Sequence, residues 1–261
     1  GIGAEHINGY AQLPERFRVN TTCDINQDLV QKPARPTGGR PTGEREDVLA
    51  DPDIDSVDIG LPPAMHVPVA IRVLEAGKHA IVEKPVAGSL VEADRLVAAE
   101  ARSDGCVFPV FQYRYGKAFD QLAALRQAGL LGRPIAAAIE THWNRDKHYY
   151  ANQWRGSWDH ELGGVVLIHA IHAHDLLTQH FGMVAEIAAV LTTNANPVET
   201  EDCAAISLRM DNGALATSSI TLGAATDTTR MRLVYEHLTA ESGTAPYAPG
   251  TDDWHFTARD R

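Results

Sequence analysis

Lys84 has the surroundings of a proton-transfer group. It stands in AGKHAIVEKPVAG, residues 76–88, where Gly77 ends a predicted helix, a short apolar strand runs from His79 to Val82, and Glu83-Lys84-Pro85 closes it. A lysine directly after a buried strand of an α/β sheet sits outside the carboxyl ends of the strands, where such folds bind ligands. Pro85 fixes its own φ and biases Lys84 towards an extended backbone, which aims the ammonium. An isolated Glu-Lys-Pro also fits a solvated surface turn, so the rest of the chain has to decide.

A second group of candidates lies in ELGGVVLIHAIHAHDLLTQHFG, residues 161–182, read as one helix entered through Gly163-Gly164 and left at Gly182. At about 100° per residue Ile168, His172 and Asp175 share a narrow arc, His169 lies roughly 60° from His172, and His174 points away. Histidines that ligate a metal must converge, so no metal site is expected. The imidazole of His172 and the carboxylate of Asp175, one turn apart, are suited to orienting a substrate hydroxyl and sharing its proton. A buried histidine satisfied by Asp175 fits the same spacing.

The opening GIGAEHINGY resembles the end of a dinucleotide-binding turn. Gly1 takes the second glycine position of G-x-G-x-x-G/A and Ala4 the third small one, with Gly3 between them and a helical stretch running through Tyr10 to Leu13. The next apolar run, Phe17 to Cys23, stops at Asp24. A carboxylate there, roughly 20 residues past the turn, is placed for the adenosine ribose hydroxyls and repels a 2′-phosphate, which predicts NAD over NADP. A turn or helix-capping aspartate is the other reading. Because Gly1 falls inside the turn, the expectation is a fragment of a longer chain whose first strand is missing and whose second domain is incomplete.

These groups need a parallel sheet to hold them. Residues 31–45, rich in proline, glycine and arginine, read as an irregular loop. A short helix, a turn through Pro52 and a strand from Ser56 to Ile59 follow, ended by Pro62-Pro63. A helix from Ala64 to Ala76 then leads to the strand before Lys84, a crossover that argues for parallel strands. Ser89 and Glu92 form a capping box for a helix from Leu90 to Arg102, and Cys106 to Tyr113 is the next buried strand.

Beyond it come a helix from Lys117 to Ala128, a strand from Ile135 to His142, and antiparallel strands at 187–193, 203–210, 214–222 and 230–237. Asp211-Asn212-Gly213 makes a hairpin turn. The last residues read as polar coil without a closing element. The fold class is α/β: a doubly wound parallel Rossmann domain over residues 1–113 and an α+β domain with an open, mostly antiparallel sheet over 114–261.

A net charge of −11 on 261 residues disfavours nucleic acid and anionic membranes. No apolar run approaches the roughly 20 residues needed to span a bilayer. Cys23, Cys106 and Cys203 are widely spaced, which reads as free buried thiols in a reducing compartment and a cytoplasmic location, although a signal peptide before Gly1 would not be visible.

Taken together, the glycine turn into His6, Asp24, the Leu61-Pro62-Pro63 loop with His66, Glu83-Lys84-Pro85, and Gly163-Gly164 through His172 to Asp175 resemble the Gfo/Idh/MocA family of nicotinamide-dependent oxidoreductases, in the family's order. The resemblance implies an NAD-binding Rossmann domain and a C-terminal domain whose open sheet forms homo-oligomer contacts. It implies cofactor contacts from Gly1, Gly3, Ala4, His6, Asp24, Leu61, Pro62, Pro63, His66, Glu83, Lys84 and Pro85. Lys84 and His172 then line the nicotinamide crevice, with Asp175 as a further catalytic group. The stretch THWNRDKHYYANQWRG, residues 141–156, is implied to meet a polyhydroxylated substrate through Asn144, Arg145, Tyr149 and Arg155, with tryptophans stacking on sugar faces and with help from Tyr113 and His172. It also fits a polar connection. Ile168 stands where the family commonly has an aspartate, and Ala170 where glycine is usual.

The activity implied is oxidation of a secondary alcohol of a sugar or cyclitol. An NAD-using glycoside hydrolase and a non-catalytic nucleotide-binding regulator are the alternatives.

Overall fold

The computed structural model describes residues 2–26, 38–152 and 154–259. Its internal contacts divide the chain into two units, Gly1–Val110 and Phe111–Arg261.

In the first unit helix α1 (Ile2–Ala11) precedes β1 (Thr21–Cys23) and β2 (Arg40–Thr42), which pair in parallel. Helix α2 (Arg45–Ala50) leads to β3 (Ser56–Ile59), α3 (His66–Glu75), β4 (His79–Val82), α4 (Leu90–Glu100) and β5 (Val107–Pro109). β3, β4 and β5 form a parallel sheet in chain order. Val67, Ala70, Val73 and Leu74, spaced to share one face of α3, are buried with Ile59, Ala80 and Val82 of the strands. The Ser89 hydroxyl accepts the Glu92 N–H at 3.2 Å, and the Glu92 carboxylate accepts from Gly88 N–H at 3.0 Å, one residue before the reciprocal partner of a capping box.

The second unit contains α5 (Lys117–Gln127), β6 (Pro134–Asn144), three helices α6 (Trp158–Glu161), α7 (Val165–Ile168) and α8 (Ile171–Phe181), then β7 (Val184–Thr192), β8 (Cys203–Met210), β9 (Leu215–Thr221), β10 (Gly223–Tyr235), β11 (Leu238–Glu241) and β12 (His255–Ala258). Its strands lie in the order β12-β11-β10-β6-β9-β8-β7, antiparallel except for β6 with β9. Alternate residues such as Ile139, Ile206, Ile220, Met231 and Leu233 form a core with Leu122, Leu176, Leu177 and Phe181 of the helices. Among the described residues the alternate positions on the other face, such as Ala138, Ala205 and Thr217, are exposed.

Four expectations are corrected. The segment 161–182 is not one helix: it breaks at His169-Ala170 between α7 and α8, so the arc that joined Ile168 to His172 does not exist. Within residues 31–45, of which 31–37 lie outside the described residues, Arg40–Thr42 is a strand rather than loop. Its proline is tolerated because Arg40 N–H donates to the Asn20 carbonyl and Thr42 C=O accepts the Asp24 N–H, on either side of β1, leaving Pro41 directed to the edge away from β1. The end of the chain is not polar coil, since β12 pairs with β11. The thiols of Cys23 and Cys106 are exposed and that of Cys203 half-buried, all three free, because they sit at strand ends.

Candidate functional site

In the first unit the predicted residues gather at the carboxyl ends of the parallel strands. Asp24 follows β1 and its carboxylate accepts the Asn26 N–H at 2.8 Å. Gly60 follows β3, and a Cβ there would sit 3.2 Å from Ile2 Cγ2 and 3.6 Å from the Gly3 nitrogen, so the N-terminus of α1, with Gly3 and Ala4 in its first turn, abuts the end of β3. Gly1 lies outside the described residues.

The Leu61-Pro62-Pro63 loop enters a 3₁₀ turn ahead of α3. His66 is buried, and its two ring nitrogens lie 2.7 Å from the carbonyls of Leu61 and Pro85, which ties that loop to the turn after β4. Lys84 is half-buried, and its peptide bond to Pro85 is cis.

Glu83 is buried with both oxygens engaged. One meets His6 Nε2 at 3.1 Å and the other accepts the Lys84 backbone N–H at 3.0 Å. His6 Nδ1 meets Asp58 at 2.9 Å, and Tyr10 donates to the same carboxylate at 2.5 Å. Hydrogen bonds to Asp58 and then Glu83 push the His6 pKa up to about 10, so the ring is an imidazolium at neutral pH. Burial and Asp58 push the Tyr10 hydroxyl up as well. Sequence reading missed Asp58 and Tyr10. The available signal was an acidic residue inside a predicted parallel strand, where near-continuous apolar character is the norm.

The second unit assembles a different cluster. Arg145 pairs with Asp227 at 3.0 Å, donates to the Tyr247 hydroxyl at 3.1 Å, and lies 4.9 Å from the Trp143 ring centroid and 5.2 Å from that of Tyr149. Asn144 N–H donates to Asp227 at 2.6 Å. The Tyr149 hydroxyl contacts His169 Nε2 at 3.0 Å and accepts from Arg155, whose guanidinium lies over the Tyr149 and Trp154 rings and 3.5 Å from buried Glu161. Burial raises the Tyr149 pKa, which keeps that hydroxyl neutral. Trp143 belongs to the core, donating to Thr229 at 3.1 Å.

Asp175, expected beside His172, also has a cationic partner. It receives Arg114 through two hydrogen bonds, 2.7 and 2.5 Å. His172 is buried, its ring stacked on Tyr113 at 4.5 Å with Phe111 edge-on, and the Tyr113 hydroxyl donates to the Pro246 carbonyl at 2.5 Å. Gly164 opens α7 under the Glu201 carboxylate, which accepts the Gly164 and Val166 N–H groups. A Cβ at Gly164 would lie 2.0 Å from the Glu201 carbonyl oxygen, so no other residue fits there. Among the described residues no group of three or more His, Cys, Asp or Glu could hold a metal, and no helix is long and apolar enough to cross a membrane.

Two models of one family match this chain in its own order: the NAD-binding Rossmann fold of an oxidoreductase family over residues 1–111, and the GFO/IDH/MocA C-terminal domain over residues 119–241. The chain belongs to the Gfo/Idh/MocA family. An uncharacterised oxidoreductase of Synechocystis sp. is 30% identical over 187 residues, 64% of this chain and 48% of the relative. The levoglucosan dehydrogenase of Pseudarthrobacter phenanthrenivorans is 27% identical over 202 residues, 74% of this chain and 52% of that enzyme. This chain spans about half the length of the curated relatives it matches. Among solved structures, the WlbA dehydrogenase of Bordetella pertussis in complex with NADH and UDP-GlcNAcA superposes with a TM-score of 0.90 at 28% identity, covering 99% of this chain and 75% of that one.

Proposed function

We propose that this chain is the cofactor- and substrate-binding part of an NAD-dependent dehydrogenase that oxidises a secondary alcohol of a sugar or related polyol. The observation that carries the reading is the rim of the first unit, where Asp24, the α1 N-terminus against Gly60, and Lys84 all lie at carboxyl ends of parallel strands. That arrangement fits a dinucleotide: the first-turn N–H groups of α1 suit a pyrophosphate and Asp24 suits the ribose hydroxyls. The family match and the sugar dehydrogenases among the relatives support the same reading.

When bound, NAD supplies the hydride acceptor. Lys84 accepts the hydroxyl proton of the alcohol, which must leave as the hydride does. Within the second unit, His172 is suited to holding a substrate hydroxyl, and the Arg145, Tyr149 and Arg155 cluster to meeting the hydroxyls of a polyol. Asp175 holds Arg114 and stays a candidate beside His172. With isoleucine at 168, which cannot hydrogen-bond a hydroxyl, either Asp175 takes that work or the substrate differs from inositols and simple sugars.

The open face of the second sheet carries small residues, Ala138, Ala205, Ser207, Thr217 and Ser219, and in this reading a second copy packs against it.

The test is a fluorescence titration with NADH and NADPH, followed by turnover on a panel of sugars and cyclitols. Tight NADH binding with turnover of at least one polyol supports the reading. NADH binding without turnover of any favours the regulator.

A further inference from the structure

We propose that His6 is a positioning residue for Lys84: held between Asp58 and Glu83, it fixes the Glu83 carboxylate that accepts the Lys84 backbone N–H. The inference rests on the proton-transfer role proposed for Lys84, and it moves His6 out of the cofactor-contacting set.

The geometry carries this in three steps. Both nitrogens of the His6 ring are engaged by carboxylates, Nδ1 by Asp58 at 2.9 Å and Nε2 by Glu83 at 3.1 Å, so neither is left for a pyrophosphate or a ribose. Glu83 in turn has no idle oxygen. One is held by His6 and the other by the Lys84 N–H at 3.0 Å, so a side chain with only 8% exposure is anchored at both ends. A carboxylate tethered to one partner swings about its χ angles, whereas one tethered to two does not. The bond from Glu83 to the next residue's N–H therefore sets the backbone from which the Lys84 stem departs.

Charge gives His6 a second effect on the same lysine. The charged groups against its ring are Asp58 from β3 and Glu83 from the turn after β4, while Tyr10, on His6's own helix, reaches Asp58. With His6 protonated, two carboxylates and one imidazolium leave a single net negative charge beside the Lys84 turn. Without the imidazolium two remain, and each favours the charged form of a nearby ammonium. His6 thus keeps Lys84 nearer the neutral form a base requires.

Competitive acetylation of the whole protein with acetic anhydride across a pH series, read on the Lys84 peptide by mass spectrometry, measures the titration of this lysine without any substrate. Exposed Lys117 serves as the internal control. In His6→Ala the Lys84 midpoint should rise by about one unit, and in Glu83→Gln it should fall, because the two changes alter the local charge in opposite directions. NADH affinity in His6→Ala should stay near wild type. If His6→Ala does not fold, Glu83→Gln alone decides, since a midpoint that stays or rises there overturns the proposal. So does a His6→Ala protein whose Lys84 midpoint is unmoved while NADH binding weakens about tenfold or more, the signature of a cofactor contact. The readout involves no turnover, so failure of the dehydrogenase reading and failure of this one are separately visible.

Discussion

Replacing His6 with alanine should make the stability of the protein less dependent on pH on the alkaline side. In the folded state the ring keeps its proton up to about 10, whereas in the unfolded chain it releases it near 6.5. A raised pKa stabilises the fold fully below the unfolded value and loses that stabilisation as pH climbs through the folded one. The window is therefore pH 6.5 to 10. A shift of three and a half units at about 1.4 kcal/mol each sets a ceiling of about 5 kcal/mol. The His6 side chain is 16% exposed, so solvent screens little of it. In the variant the two carboxylates relax towards water and recover part of the loss, which leaves about 2–3 kcal/mol as the expected pH-dependent difference. Urea denaturation of both proteins at half-unit steps from pH 6 to 10.5 reads it. The gap between wild type and variant should be widest at pH 6 and shrink by that amount by pH 10. A gap constant across the series would mean that His6 is not held as an imidazolium between Asp58 and Glu83.

Other predictions rest on separate contacts. Asp24→Ser with an arginine introduced beside it should narrow or reverse the preference for NAD over NADP, and an unchanged ratio of kcat/KM would remove Asp24 from the ribose site. Buried Asp202 accepts the N–H groups of Asn194, Ala195 and Asn196, so Asp202→Ala should cost about 3 kcal/mol in urea denaturation by leaving those donors unpaired, and a cost near zero would show the loop holds without it. Burial lowers the pKa of His174, whose ring meets Ser218 at 3.0 Å, to about 4. A depressed value means stability present above 6.5 and lost as pH falls towards 4, so the melting temperature of His174→Gln should decline less steeply over that range than that of wild type.

Most of the first unit was legible in the sequence because its signals are local. Apolar runs ended by proline pairs located β3, and Gly77 located the end of α3 ahead of the Lys84 strand. Where reading failed, a long-range contact had overridden local composition. Arg40–Thr42 reads as loop on its prolines, yet β1 recruits it through the two backbone groups that Pro41 does not supply. The segment 161–182 carries an unbroken apolar period, and nothing in it announces the break at His169-Ala170. That break undid the shared arc of Ile168 and His172, and the pairing of Asp175 with Arg114, 61 residues earlier, was equally out of view. The His6 network was invisible for the same reason: Asp58 and Glu83 are 52 and 77 residues from His6, and only the parallel sheet brings the three together.

The most direct test of the central claim is Lys84→Met, made in the complete protein and assayed with NAD and whichever polyol the panel identifies. Methionine keeps the length of the stem and removes the titrating group. NADH affinity should survive while kcat falls by roughly 10²–10⁴, the usual loss when a general acid or base is removed. A Lys84→Met enzyme that binds NADH and retains near wild-type kcat would contradict the account.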